Sequence, residues 1–262
     1  METGKQSIRH VERRCYGEAM HKLLLILLAL LAGAHGASAQ SLPDAGQSEA
    51  AFQVHLAHKP DFRSEVEELE AWLRAKRVHD IFPTWQILRT ASMWRVCNGP
   101  PFEVPARKLW PKLAATLRFV RDHVQPALGP LQAVSAYRNP ELNVCAGGAA
   151  NSAHRDFSAL DLVPAKGLSR LQIFHQVCRL HSIKGPGARA GLGFYAFTRF
   201  HVDTRSFRRW GAAGPEGNES PCAVLERGGD PEAPPVPRPE TVPPAPVSPS
   251  SAEVPPLPRR NP

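Results

Sequence analysis

Apolar positions recur along this chain with periods that change from segment to segment, and the changes mark its elements. From Phe62 to Val78, Val66, Leu69, Trp72 or Leu73 and Val78 return at helical spacing opposite a charged face, and Ser64 and Glu67 stand at the offset of a capping box. This predicts a surface helix with one packed face. Ile81 to Trp94, interrupted by Pro83, reads as an extended piece followed by a helical turn, and Pro100, Pro101 and Pro105 mark an irregular connection. Pro111 suits the first position of a second helix, which Leu113, Leu117, Val120 and Val124 carry to about residue 124 before Pro126 and Gly129-Pro130 end it. Leu131 to Tyr137 predicts a buried strand closed by Asn139-Pro140, with Arg138 at its end. Asn143 to Asn151 reads as a loop around Gly147 and Gly148, and Leu160 to Val163 as a short strand stopped by Pro164. Ser169 and Gln172 cap a third helix whose Ile173, Phe174, Val177 and Leu180 face inward. Gly185 to Gly193 predicts a glycine-rich loop ahead of two short strands, Leu192 to Tyr195 and Arg199 to Thr204.

The sum is an α+β domain, a small antiparallel sheet packed with about three helices. Its ends are set by composition. Met20-His21-Lys22 followed by LLLILLALLAGAHGASA has the basic, apolar and small-residue parts of a signal peptide, and the apolar run is short for a membrane span. Beyond residue 211 the run PEAPPVPRPETVPPAPVSPSSAEVPPLPRRNP has almost no side chains to build a core, and its prolines favour an extended, hydrated backbone. The expected division is 1–39 N-terminal extension and signal peptide, 40–50 linker, 51–211 catalytic-type domain and 212–262 disordered tail. Secretion across the inner membrane to the periplasm or cell wall follows from the signal.

Residues 40–211 carry 23 Lys and Arg against 14 Asp and Glu, so the basic character lies in the folded part, whereas the tail from 212 has 4 against 7. Such a surface favours polyanions, and export removes nucleic acid from the expected partners, leaving anionic wall polymer or peripheral contact with a wall or membrane surface. Four cysteines remain after the signal, which suggests two disulfides with three possible connectivities. Cys97 with Cys145 and Cys178 with Cys222 is the expected pairing, the second tying the start of the tail to the domain. A monomer is expected.

Polar chemistry concentrates between Ala133 and Pro164 and again at Arg199-Phe200-His201-Val202-Asp203. His154, Asp161 and His201 are the residue types of a catalytic zinc site, two imidazoles and a carboxylate with one position left open. Eleven histidines are present, so spacing alone does not select these. Ser135-Ala136-Tyr137-Arg138, then Ser152-Ala153-His154 with Ala159-Leu160-Asp161, then His201-Val202-Asp203 together resemble the three signatures of the M15 metallopeptidases. That family includes zinc D-alanyl-D-alanine carboxypeptidases, dipeptidases and murein endopeptidases. The resemblance implies zinc held by His154, Asp161 and His201, Arg138 stabilising the oxyanion, and Tyr137 and Ser152 near the substrate, which would be a D-amino-acid-containing peptide of peptidoglycan.

Two positions depart from the family pattern. Phe157 stands where glycine is common. Thr198 stands where many members have the glutamate that acts on water, and a threonine hydroxyl is no comparable base near neutral pH. Asp203, two residues beyond His201 on the same strand face, is the expected replacement, either as base or as a group orienting His201; His181 is a further candidate. The departure at Thr198 also motivates another reading, a noncatalytic wall-binding or scaffold protein. The signal reading predicts that mass spectrometry of the exported protein finds Gln40 at its N-terminus; a mature chain that retains residues 20–39 contradicts it.

Overall fold

The computed structural model describes residues 45–211 and 219–233; the expected signal peptide and most of the proline-rich tail lie outside them. Helix α1 (Glu49–His58) is capped by Ser48, whose hydroxyl accepts from the Ala51 amide, and α2 (Pro60–Ala75) follows after Lys59 alone. The expected linker through residue 50 is therefore structured at its end. Gln47 is buried there, donating to the Pro101 carbonyl at 2.8 Å and accepting from Arg89 Nε at 2.9 Å through its own carbonyl. Val66, Leu69 and Leu73 of α2 are buried as their spacing predicts, but the helix begins at Pro60, so Ser64 and Glu67 lie inside it and form no cap.

After the short turn α3 (Thr84–Ile87), helix α4 (Trp110–Phe119) runs into a π turn at Val120–Val124 and on through α5 (Gln125–Leu128). Leu113, Leu117, Val120 and Val124 are fully buried. Pro126 does not end this run: the π turn ahead of it widens the helix and moves the proline ring off the carbonyl one turn back. Gly129, at φ +78°, ends it instead.

The sheet has strands β1 (Leu131–Ser135), β2 (Ala159–Pro164), β3 (Gly191–Phe194), β4 (Phe200–Asp203) and β5 (Arg208–Trp210) in the order β1-β2-β4-β3-β5. All pairings are antiparallel except β3 with β5, which are parallel. Between β1 and β2, helix α6 (Pro140–Cys145) starts from Asn139, whose side chain accepts from the Leu142 amide, so the expected loop begins only after Cys145. Helix α7 (Arg170–Ala188) opens on the Ser169–Gln172 capping box and buries Ile173, Phe174 and Val177. It continues through Gly185 and Pro186, where a loop was expected. Pro186 interrupts the hydrogen-bond ladder only in the last turn, and Gly185 lets the helix pass His181 and Phe207, which an added Cβ would approach at 3.0 Å. Arg189, in a left-handed conformation, closes the helix.

Both expected disulfides are formed, Cys97–Cys145 and Cys178–Cys222. The second joins α7 to α8 (Pro221–Glu226), with Cys222 fully buried, so the folded unit extends past the boundary expected at residue 211. Two disulfides suit an oxidising environment outside the cytoplasm. Among the described residues no helix is long and apolar enough to cross a membrane. The Cys178–Cys222 bridge closes a loop with a sequence separation of 44. The Cys178→Ser/Cys222→Ser double variant is expected to lose about 4 kcal/mol of unfolding free energy in urea, the loop-closure entropy of a loop that size; an unchanged midpoint contradicts the assignment of α8 to the folded domain.

Candidate metal centre

One row of residues crosses the whole sheet: Ser135 of β1 lies opposite Asp161 of β2, Asp161 opposite His201 of β4, His201 opposite Gly193 of β3, and Gly193 opposite Trp210 of β5. Alternation along β4 sends Phe200 and Val202 into the core, leaving His201 and Asp203 on the other face. His154 comes from the turn Ala153–Asp156, whose first amides are capped by Ser152. Its Nδ1–H donates to the Ala136 carbonyl, which fixes the tautomer and aims a bare Nε2 at the row.

His154 Nε2, Asp161 Oδ1 and His201 Nδ1 form a triangle with all three sides 3.1 Å. All three residues are buried, and they form the one such group of metal-capable side chains found among the described residues. A tetrahedral ion with bonds of about 2.0–2.1 Å separates its ligand atoms by roughly 3.3 Å, so the triangle fits such an ion. Its chemistry fits too. His201 donates its far nitrogen to Asp203, Nε2 to Oδ2 at 2.9 Å, leaving Nδ1 to face the centre.

The charges around the triangle are unequal. Burial, with Arg138 nearby, pushes His154 down to about 4, against the pull of Asp161. Burial would also lower His201, but hydrogen bonds to Asp161 and Asp203 raise it above its ordinary value. Burial lowers both; Arg138 adds to that at His154, whereas the hydrogen bonds to Asp161 and Asp203 outweigh it at His201. A metal ion bound there would displace any proton held by its ligand nitrogens. Burial would raise Asp161, yet His154, Arg199 and Arg138 hold it well below the usual carboxylate range. Arg138 Nη2 reaches its Oδ2 at 2.6 Å and Arg199 Nη2 at 2.5 Å, leaving Oδ1 for the centre.

The Peptidase M15 family model matches residues 87–203, a span that contains Arg138, His154, Asp161, His201 and Asp203. Residues 87–203 thus belong to the Peptidase M15 family. No curated protein and no solved structure matches the chain.

Within this Peptidase M15 domain the triangle lies under a cavity of about 390 Å³ lined by Arg138, Ser152, His154, Tyr195, His201 and Trp210 among others. Arg138 and Ser152 thus reach the cavity, although Arg138 is also committed to Asp161 and to the Ser135 hydroxyl, at 3.1 Å. Tyr137 stands outside it, lining a neighbouring pocket and packing edge-on against Phe157. Asp203 lies behind His201, on the ring nitrogen that faces away from the triangle. Its carboxylate also accepts from both Arg208 Nη atoms and from the Arg205 amide, and these contacts bring it down to about 2 against the effect of burial. Of the two roles open from sequence, base or orienting group, the second has its partner here, the His201 ring. His181 lies away from the cavity, donating Nε2–H to the Ala190 carbonyl and stacking on Phe207. Phe157 has φ 55° and ψ 28°, the left-handed conformation that glycine takes without penalty. Its ring is fully buried, and burying a phenylalanine, about 1.5–3 kcal/mol, offsets the roughly 1–2 kcal/mol of backbone cost.

The sequence reading did not single out Tyr195, Trp210, Arg208 or the pairing of Arg199 with Asp161. Only Arg199 left a signal, since it precedes His201 and Asp203 by two and four positions and shares their face. Two glycines make room for the rest: a Cβ at Gly193 would lie 2.0 Å from the Trp210 ring, and one at Gly191 2.3 Å from Asp203 Oδ2 and 2.6 Å from Arg208 Nη1. Asp203→Asn is expected to weaken metal affinity by about 10–100-fold in a competition titration. Unchanged affinity with a collapsed hydrolysis rate would return Asp203 to the role of base.

Proposed function

We propose that this chain is an exported zinc peptidase that hydrolyses D-amino-acid-containing peptide bonds of peptidoglycan. The observation that carries the reading is the buried triangle of two imidazole nitrogens and one carboxylate oxygen, 3.1 Å on each side, beneath an open cavity. Peptidase M15 membership supplies the reaction class. The signal-like N-terminus supports export, and the basic domain surface supports approach to an anionic wall.

His154, Asp161 and His201 would hold the zinc, whose Lewis acidity polarises a carbonyl and makes water acidic enough to attack near neutral pH. The other side chains of the site position and stabilise. Arg138 borders the cavity beside both imidazoles and takes up charge developing on the carbonyl oxygen, where a permanent cation is worth most in the transition state. Burial raises the Tyr195 phenol above its ordinary value, and the nearby Asp161 carboxylate, to which it is hydrogen-bonded, raises it further, so its hydroxyl stays protonated where the residue lines the cavity. Asp203 and Arg208 keep the His201 ring in register.

One observation favours a second reading, wall binding without cleavage. Among the described residues lining the cavity there is no Asp, no Glu and no histidine beyond the two in the triangle, and Thr198 does not border it. A single experiment separates the readings. Mature protein loaded with zinc is incubated with defined muropeptides; released D-alanine or a severed crosslink, abolished by chelation and restored by zinc, is expected. Arg138→Ala should lower kcat by about 10²–10³-fold. Sacculus binding with one zinc per chain and no bond cut would establish the second reading.

A further inference from the structure

The cavity above the metal centre is the middle of three. On one side it shares Arg138, Ala146 and Tyr195 with a pocket of about 330 Å³ that continues to Met93 and Phe197. On the other it shares Asn151, Ser152 and Arg205 with a second pocket of about 330 Å³ that continues to Tyr137, Arg155 and Asp156. We propose that these three form one groove open at both ends, and that its occupant is a peptide running through it whose internal bond lies at the metal: an endopeptidase substrate rather than a chain end. The proposal rests on the zinc peptidase reading.

Removing a C-terminal residue calls for a cleft that stops just past the scissile bond at a cation free to receive the terminal carboxylate. Among the described residues, every cation along the two directions already has a partner, Arg155 a neutral carbonyl and the others a carboxylate, and Arg138, at the centre, carries the role at the carbonyl oxygen given above. Toward Met93, Arg199 is already held by Asp161 and by the Ser92 hydroxyl at 3.2 Å. Toward Tyr137, Arg205 is held by the Asn151 carbonyl at 2.6 Å and by Asp156 at 3.3 Å, and Arg155 by the Ala150 carbonyl. Arg208 is bound to Asp203.

The two arms differ in chemistry, which gives the peptide a direction. The arm through Ala91, Met93, Ala146, Ala196 and Phe197 is largely apolar, and it carries unusual exposure: Phe197 is 64% exposed and Met93 44%. Val96 and Val144, 77% and 73% exposed, each precede a cysteine of the Cys97–Cys145 bridge, which ties this wall to α6. Exposed apolar side chains gathered beside a cleft mark a contact surface. The other arm is polar, with Tyr137, Asn151, Ser152, Arg155 and Arg205. The part of the substrate bearing polar or anionic groups lies there, and residues with short aliphatic side chains lie on the Met93 side.

The test uses the mature zinc-loaded chain and two probes, a crosslinked tetrapeptide–tetrapeptide muropeptide dimer and an uncrosslinked pentapeptide monomer. The dimer should be cut at least about tenfold faster than D-alanine leaves the monomer, since only the dimer fills both arms. D-alanine release equal to or faster than dimer cleavage overturns the proposal and leaves the peptidase reading standing. If neither probe is cut, the peptidase reading fails, and the groove is judged by affinity. The dimer should then bind at least about tenfold more tightly than the monomer, lose that advantage in Ala196→Trp, which places bulk in the apolar arm from an exposed loop, and keep it in Ala196→Ser. Equal affinity for the two probes, or an Ala196→Trp variant with intact zinc content and undiminished preference, overturns the groove.

Discussion

The register of β2 against β4 is the constraint on which the rest depends. Asp161 faces His201 only because Leu160 pairs with Val202 and Leu162 with Phe200, and those four side chains are buried at 0–1% exposure. A slip of one residue would turn Asp161 or His201 into the core and bring the apolar residues of that strand out into the cleft. Burial of each of the four contributes roughly 1.5–3 kcal/mol, so apolar packing fixes the register and the polar face inherits it. The candidate metal centre is thus held in place by residues that never touch it.

What the polar face inherits is a carboxylate with its two oxygens assigned to different tasks. Asp161 gives Oδ2 to Arg138 and Arg199 and keeps Oδ1 for the triangle, where both imidazole nitrogens meet it at 3.1 Å. The guanidiniums keep a fully buried acid ionised where burial alone would protonate it. Asp203 repeats the device one row along, with Arg208 and the Arg205 amide sustaining the charge that holds His201. Taking one partner from such a buried pair leaves an uncompensated charge, so these arginines are structural to the centre even where they also border the cavity.

Much of this was legible in the sequence for reasons that can be named. The alternation of Arg199, His201 and Asp203 with Phe200 and Val202 places three polar groups on one face of a strand. The helical stripes of α2, α4 and α7 survive because each buries several residues on one side. By contrast α1 buries only Phe52, which leaves no stripe to detect. Strand β5, Arg208-Arg209-Trp210, has no apolar alternation; its place comes from pairing with β3 and from the reach of Arg208 to Asp203. Gly191 and Gly193 read in sequence as punctuation around a loop, yet they are the positions over which Asp203 meets Arg208 and Trp210 lies beside His201. The role of Asp203 depends on which imidazole nitrogen faces the centre, and spacing along a strand does not specify that.

X-ray absorption at the zinc edge of the zinc-loaded protein tests the central claim most directly. The account predicts one zinc per chain with a first shell of nitrogen and oxygen at about 2.0–2.1 Å and the multiple scattering of two imidazole rings, reduced to one ring in His201→Ala. A shell of oxygen alone, or a spectrum that His201→Ala leaves unchanged, would contradict it.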